Sequence, residues 1–138
     1  MSTFVLDTGA LIAVDRRSRD VLSTLHSAFA DGDSVLVPAG VIGQAWRKPG
    51  RQALLSRVLR RCDEIPLDGS AARLAGQLCG QTGTNDVIDA SVAVAAANAR
   101  SRDNEVVVLT SDGDDMRTLV STRTLVSTLN SITRIVEV

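Results

Sequence analysis

Acidic residues follow two apolar runs of this sequence, at points where a chain would leave its core. Asp7 comes directly after residues 3–6, and Asp112 lies three positions after residues 106–109. Both runs have the length and composition of buried strands. Side chains that follow parallel strands gather at the carboxyl edge of a sheet. We therefore expect the two carboxylates to lie close together there.

Two further aspartates, Asp86 and Asp89, stand at the start of an alanine- and valine-rich stretch over residues 86–100. Residues three apart share one face of a helix, so both carboxylates can point the same way. A charge inside so apolar a helix needs a polar partner, because burying an unpaired charge is costly. Asp89 is therefore expected to face other polar groups.

Each acid taken alone also has a purely structural explanation. Ser111 or Asp112 could cap the helix that follows them, and Asn85 or Asp86 could cap another. Asp7 could form an Asx turn. Taken together, however, carboxylates that converge on one crevice repel each other unless a cation holds them. Carboxylate oxygens favour the hard cations Mg²⁺ and Mn²⁺.

The remaining chemistry-bearing residues argue against other kinds of site. His26 is the only histidine, and Cys62 and Cys79 form no CxxC pattern, so a zinc site is not supported. The two cysteines are expected to be reduced and mostly buried thiols. The sequence contains neither GxxxxGKS/T nor GxGxxG, the glycine-rich fingerprints of nucleotide binding.

Basic residues are concentrated between positions 47 and 61, where no acidic residue occurs. They are Arg47, Lys48, Arg51, Arg57, Arg60 and Arg61. Such a run commonly forms a solvated helix face, which is the better explanation when the run is taken alone. The alternative is a surface that binds phosphate groups.

Predicted strands and helices alternate along the chain, which favours an α/β domain with a mainly parallel sheet. Strands are predicted at residues 3–6, 34–38, 64–67, 105–109 and 132–138, the last of them at an edge. Helices are predicted at residues 9–14, 19–30, 39–48, 51–61, 70–78 and 86–100. No linker interrupts this pattern, so residues 1–138 are expected to form one domain.

The bulk composition agrees with a folded protein outside the membrane. The chain has 138 residues, 44% of them hydrophobic, which is enough for one domain with its own core. No apolar run approaches the ~20 residues of a membrane span. The first residues lack the basic and apolar regions of a signal peptide, so a cytoplasmic location is expected.

A tandem repeat stands near the end of the sequence, where "RTLVST" at 117–122 recurs at once at 123–128. Six residues turn a helix face by roughly 240° at ~100° per residue, so the second copy cannot extend the same apolar stripe. It is expected to bulge out as a loop or to lengthen a helix beyond the core.

Four segments in this order resemble the PIN-domain ribonucleases, and more narrowly the VapC toxins of bacterial type II toxin–antitoxin pairs. The segments span nearly the whole chain. They are "FVLDTGALIAV" at 4–14, "VPAGVIGQAWR" at 37–47, "TNDVIDASVAVAA" at 84–96 and "VVVLTSDGDDM" at 106–116.

The resemblance implies an α/β/α sandwich whose acidic pocket binds Mg²⁺ or Mn²⁺ and cleaves RNA. It implies catalytic roles for Asp7, Asp86 and Asp112. It implies a metal-binding set formed by Asp7, Asp86, Asp89, Asp112 and Asp115. Thr8 and Ser111 would orient carboxylates or bound water. An antitoxin partner is also implied, and a homodimer is suggested.

The sequence departs from the family pattern at Gln44, where these proteins usually carry a glutamate. An amide oxygen can still contact water or metal, but it supplies less charge. RNA would need nearby cations to approach an acidic pocket, which favours an RNA-binding role for the basic run. The RNA-binding residues expected there are Arg47, Arg51, Arg57, Arg60 and Arg61.

Three other functions compete with an active nuclease. Gln44 motivates a PIN-fold protein of reduced or no nuclease activity that binds RNA or a protein partner. A receiver domain also places aspartates at strand ends, but it needs a suitable lysine, and the only one is Lys48 beside Pro49. A phosphatase of the dehalogenase type would need a second aspartate two residues after Asp7, where Gly9 stands.

Overall fold

The computed structural model describes residues 2–100, 105–121 and 132–138. These ranges contain five strands, which confirm the strand predictions to within one or two residues. The strands are Ser2–Leu6 (β1), Ser34–Pro38 (β2), Asp63–Ile65 (β3), Glu105–Thr110 (β4) and Ile132–Glu137 (β5). They form one sheet in the order β3-β2-β1-β4-β5, and every neighbouring pair is parallel.

This sheet confirms the predicted fold class, a PIN-like α/β arrangement with a parallel central sheet and β5 at an edge. The strand order also decides one of the alternatives. Receiver-type sheets have the order 2-1-3-4-5, in which the third strand lies beside the first. Here β4 lies beside β1 and β3 forms the opposite edge, so the receiver hypothesis is wrong.

Seven α-helices lie within the described residues. They are Thr8–Asp15 (α1), Arg19–Ala30 (α2), Ala39–Ala45 (α3), Ala53–Leu59 (α4), Gly69–Thr82 (α5), Val87–Arg100 (α6) and Gly113–Val120 (α7). Connections between parallel strands are right-handed. Helices α1–α4 therefore cover one face of the sheet, and α5–α7 cover the other.

The core agrees with the apolar pattern of the sequence. The strands β1 and β4 are buried along most of their length, and α6 buries most of its alanines and valines against the sheet, as predicted. Cys62 and Cys79 are free thiols, half-buried and buried respectively, which confirms their expected state. Burial, followed by the nearby charge of Asp63, raises the pKa of the Cys62 thiol to about 12.

Among the described residues no helix is long and apolar enough to cross a membrane.

Two helices end three or four residues from the predicted position, and local hydrogen bonds explain both. The helix predicted at 39–48 ends at Ala45, because the Gln52 side chain accepts the N–H groups of Arg47 and Lys48 and draws the chain away. The helix predicted at 70–78 continues to Thr82. Gly83 follows it with φ 75°, a left-handed C-cap that glycine adopts without strain.

The tandem repeat is described only in part. Its first copy begins inside α7, which runs to Val120. The second copy, at 123–128, lies outside the described residues, so the expectation of a loop or a lengthened helix stays a prediction.

Candidate metal centre at the carboxyl edge of the sheet

The sheet has a switch point between its neighbouring strands β1 and β4. From β1 the chain crosses over one face to β2, and from β4 it crosses over the other face to β5. A crevice opens between strands whose connections diverge in this way, and ligands of open α/β sheets bind there. Asp7 follows β1 and Asp112 lies two residues after β4, so the topology places both at this crevice.

Asp7 is fixed in place by the backbone around it. It is only 4% exposed. Its Oδ1 accepts the N–H of Ala10 at 2.9 Å, which caps α1, and its Oδ2 accepts the N–H of Ser111 at 3.3 Å. Burial raises the pKa of the Asp7 carboxyl, and hydrogen bonds from the Thr110 hydroxyl and these N–H groups oppose that rise. Asp7 is thus a rigid, desolvated carboxyl group.

Thr110 joins two of the three predicted catalytic acids, Asp7 and Asp112. Its buried hydroxyl donates to the Asp7 carboxylate and accepts the N–H of Asp112 at 3.0 Å. The exposed Asp112 caps α7, because its Oδ1 accepts the N–H of Asp115 at 3.2 Å. Asp7 and Asp112 each cap a helix and also border the crevice. A capping role therefore does not exclude a role in the site.

Asp86 and Asp89 enter the crevice from the start of α6. The Asp86 Oδ1 accepts the N–H of Asp89 at 2.9 Å, which caps this helix. Burial raises the pKa of Asp89 to about 6, aided by the charges of Asp86, Asp7 and Asp112. The negative charges of three carboxylates, each from a different part of the chain, therefore raise the pKa of Asp89. The expectation that this residue faces polar groups is confirmed.

Asp115 extends the acidic crevice along α7. It is exposed, and its pKa is raised chiefly by the charge of Asp112. Together with Asp89 it borders a polar cavity of about 310 Å³. The other residues that line this cavity are Thr82, Gly83, Thr84, Thr118 and Leu119.

Gln44 lies at the rim of the same site. The Thr8 hydroxyl, next to Asp7 in the chain, donates a hydrogen bond to the Gln44 Oε1. Gln44 is exposed near the end of α3, and this bond holds its amide beside the first turn of α1. Gln44 therefore contacts the residue that follows Asp7 in the chain. The Ser111 side chain is exposed, and Ser111 contributes its backbone N–H to Asp7.

The donor set has the chemistry of a hard-cation site. Five carboxylates, from Asp7, Asp86, Asp89, Asp112 and Asp115, border the crevice, and neither ion pair within the described ranges involves any of them. In the described conformation, no three acids, histidines or cysteines are close enough together to hold one ion. To hold one cation together, the carboxylates that stand exposed at the helix starts would have to move inward.

The raised pKa of Asp89 predicts how stability depends on pH without metal. The unfolded chain releases this proton near 3.8, whereas the folded protein keeps it to about 6. Ionisation therefore favours the unfolded chain, and stability is expected to fall as pH rises from about 4 to about 6. Asp89→Asn should flatten this part of the stability curve, which melting between pH 4 and 8 in EDTA measures. An unchanged curve would place Asp89 apart from the other acids.

Sequence reasoning missed Glu137, which supports the loop that carries Asp112. The Glu137 Oε1 accepts the N–H of Gly113 at 3.0 Å, and the N–H of Val138 donates to the Thr110 carbonyl at 2.8 Å. A Cβ added to Gly113 would lie 2.3 Å from that carboxylate oxygen, so glycine permits the approach. The pairing of Thr110 with Glu137 in the sheet sets this contact, and no local sequence pattern reports that register.

The structure separates the basic run into two groups. Arg47, Lys48 and Arg51 lie between α3 and α4. The arginines of α4 and the residues just after it border apolar cavities instead. Arg60 lines a cavity of about 550 Å³, and Arg57 and Arg61 line one of about 460 Å³. The Arg61 guanidinium lies 4.4 Å from the centre of the Phe29 ring.

Comparison with known proteins identifies the fold. No protein-family model and no curated protein matches the chain. The structure is similar to a chain in the crystal structure of VapBC2 from Rickettsia felis bound to a DNA fragment from their promoter. The TM-score is 0.64 at 14% identity, over 99% of this chain and 98% of that chain. The likeness shows a PIN-like fold.

Proposed function

We propose that this protein is a metal-dependent endoribonuclease that acts as the toxin of a type II toxin–antitoxin pair. The observation that carries the proposal is that Asp7 and Asp112 follow the two strands at the switch point of a parallel sheet, with Asp86 and Asp89 near enough for the charges to interact. This is where an open α/β sheet binds its ligand. The fold that the chain shares with a chain of VapBC2 supports the same activity.

The acids would hold Mg²⁺ or Mn²⁺. The residues proposed to hold it are Asp7, Asp86, Asp89, Asp112 and Asp115. Such a cation, when bound, polarises a phosphoryl oxygen and lowers the pKa of a coordinated water. Asp7 would supply a fixed oxygen, because its carboxylate accepts N–H groups from the first turn of α1 and from the loop after β4. Asp89 would lose its proton on binding, so affinity should rise with pH.

The direct test is cleavage of a long single-stranded RNA by the purified protein. Cleavage is expected with Mg²⁺ or Mn²⁺, none in EDTA, and recovery when the metal is restored. Products with a 5′-phosphate would agree with attack by water, whereas a 2′,3′-cyclic phosphate would contradict it. Absence of cleavage with either metal, on several RNAs, would favour the second candidate below.

A second candidate function rests on Gln44. Position 44, beside Thr8, carries a neutral glutamine, whereas the family that the sequence resembles usually has a glutamate there. A protein with weaker metal affinity would act mainly by binding RNA or its partner. RNA binding without cleavage at millimolar Mg²⁺ or Mn²⁺ would support this candidate. Metal-dependent cleavage by the natural chain would exclude it.

The proposed partners are a cognate antitoxin and a second copy of the chain. Expression alone is expected to arrest bacterial growth, and co-expression of the protein encoded directly upstream should relieve the arrest. Sedimentation of the purified protein measures the proposed homodimer. Growth arrest that persists in an Asp7→Asn variant would mean that toxicity does not depend on this site.

We expect Glu137 to be a positioning residue for the proposed reaction. Loss of groups that orient metal ligands typically costs about 10–100-fold in metal affinity or activity. Because Glu137 acts through a single, partly buried hydrogen bond, Glu137→Ala should lower Mn²⁺ affinity by about tenfold, with the KM for RNA nearly unchanged. Glu137→Gln keeps the acceptor oxygen and should restore most of the affinity.

Calorimetric Mn²⁺ titration and hydrogen exchange at the Gly113 amide measure the two halves of this prediction. Faster exchange in Glu137→Ala, but not in Glu137→Gln, is expected even without metal. If Glu137→Gln is as impaired as Glu137→Ala, the charge of Glu137 matters and the positioning role is wrong. Glu64→Ala, at an exposed glutamate on the opposite edge of the sheet, is the matched control.

A further inference from the structure

A buried glutamine joins two basic segments of the surface. Gln52 is only 5% exposed, and its Oε1 accepts the N–H groups of Arg47 and Lys48, each at 3.0 Å. Its Nε2 donates to the Ala45 carbonyl at 2.9 Å and to the Asp15 Oδ2 at 3.2 Å. Gln52 thereby fastens the loop 46–52 to the end of α1 and fixes their relative position.

Both joined segments carry exposed cations. The turn after α1 carries Arg16, Arg17 and Arg19, and the loop 46–52 carries Arg47, Lys48 and Arg51. None of these six takes part in an ion pair within the described part of the chain. The Arg47 guanidinium donates to two carbonyls, those of Gly43 and Trp46. The acids on these segments are Asp15, which Gln52 contacts, and Asp20 in the first turn of α2.

Arg17 stands where a glycine would be the ordinary residue. Its φ is 61°, and it is the only non-glycine residue with positive φ in the described ranges. It closes the end of α1, because its N–H donates to the Val14 carbonyl and the next N–H donates to Ala13. A side chain in this left-handed position strains the backbone. The position thus holds a cation at a conformational cost.

We infer that the 16–19 turn and the loop 46–52 form one preformed surface that binds the phosphates of a single-stranded RNA. We call it the cationic surface; the inference rests on the proposed ribonuclease function. Helix α1 connects it to the acidic crevice, with Thr8 at one end and Asp15 at the other. These ends are about 10 Å apart at ~1.5 Å per residue. A strand held by its phosphates on this surface can therefore reach the crevice.

Arg57, Arg60 and Arg61, in and just after α4, lie on a different surface. Arg57 and Arg61 border an apolar cavity together with Phe29, and Arg60 borders the other large cavity. Arg61 also stacks on the Phe29 ring. The aliphatic part of an arginine side chain placed in this way covers apolar groups. These three arginines therefore provide a charge-matched comparison.

Fluorescence anisotropy of a labelled single-stranded RNA in EDTA, at several salt concentrations, tests the inference without cleavage. The first variant combines Arg16→Gln, Arg17→Gln and Lys48→Gln. The second combines Arg57→Gln, Arg60→Gln and Arg61→Gln. Each phosphate contact on a single strand contributes about 0.7 to the slope of log affinity against log salt. The first variant should lose about 2 from this slope, and the second less than half as much.

Arg17→Gly separates RNA binding from folding. Glycine relieves the strained position, so the variant should melt at a higher temperature than the natural chain. It should also bind RNA more weakly, by about threefold to tenfold at low salt. A purely structural Arg17 would give the higher melting temperature without the weaker binding, and that result would contradict the cationic surface.

The remaining outcomes are also decisive. If the first triple variant keeps the affinity and the salt slope of the natural chain, or if the second loses as much, the cationic surface is wrong. Metal-dependent cleavage by the natural chain would still stand in that case. If the natural chain neither binds nor cleaves RNA, the proposed function itself fails and the inference fails with it.

Discussion

Asp7→Asn is expected to lower metal-dependent RNA cleavage by more than about a hundredfold while the protein stays folded. Loss of a group that only orients a metal ligand costs about 10–100-fold, and loss of a ligand should cost more. Asparagine has the same shape as aspartate, and its Oδ1 can keep the bond to the Ala10 N–H. The substitution also removes a buried carboxyl group. Burial raises the pKa of Asp7, which means that the negative charge is disfavoured at this position.

The matched control is Asp68→Asn. Asp68 caps α5 through the N–H of Ala71 at 2.9 Å, the same arrangement by which Asp7 caps α1. It is exposed and does not border the crevice, so cleavage should be unchanged. Cleavage rates with saturating Mg²⁺ and melting temperatures in EDTA are measured for both variants. Full activity in folded Asp7→Asn would refute the assignment of the site.

Two exposed acids keep this test decisive if Asp7→Asn does not fold. Asp86→Asn and Asp112→Asn change surface residues whose carboxylates cap α6 and α7 through an oxygen that asparagine retains. Each should also abolish cleavage with little change in melting temperature. Activity in both variants would mean that the acids serve as helix caps alone.

Gln44→Glu is expected to tighten Mg²⁺ or Mn²⁺ binding by about tenfold to a hundredfold. The structure holds the Gln44 amide beside Thr8 at the rim of the crevice, so a carboxylate there adds charge near the bound cation. Two opposite charges 4 Å apart attract by about 1 kcal/mol in water and about 4 kcal/mol near a protein surface. Because Gln44 is exposed, solvent screens this attraction, and the added binding free energy should lie in the lower part of that range.

The same substitution should destabilise the metal-free protein, because another carboxylate joins the acidic crevice. Calorimetric titration and melting with and without metal measure both effects. Gln77→Glu, at an exposed glutamine of α5, is the control for added charge alone. Identical metal affinity and identical metal-free melting for Gln44→Glu and the natural chain would place position 44 outside the site.

The strands and the acids could be predicted because their signals are local. The apolar runs that became β1 and β4 are short and uninterrupted; Asp7 follows β1 directly, and Asp112 lies two residues after β4. Parallel pairing then brings these residues together wherever the intervening chain goes. Asp86 and Asp89 were predictable from their spacing of three on an alanine-rich helix.

Features that depend on register or on one side chain could not be predicted in this way. Thr110 bridges Asp7 and Asp112 only because β4 pairs in register with β1, and Glu137 reaches Gly113 only because β5 pairs with β4. The Gln52 side chain ends α3 early by accepting hydrogen bonds from Arg47 and Lys48. Such bonds cannot be inferred from the apolar periodicity of the sequence. Such contacts are set by the three-dimensional arrangement of elements that lie far apart in the chain.

The central place of β1 in the sheet also determines when the acidic crevice can exist during synthesis. The carboxylate of Asp7 meets the N–H of Ser111 across 104 positions of the chain. A ribosome that adds ~5–20 residues per second needs about 5–20 s to cover this interval. Through that time β1 can pair with β2 but has no neighbour on its other edge. A nascent chain therefore carries no complete crevice, and the crevice forms only as a late event of translation.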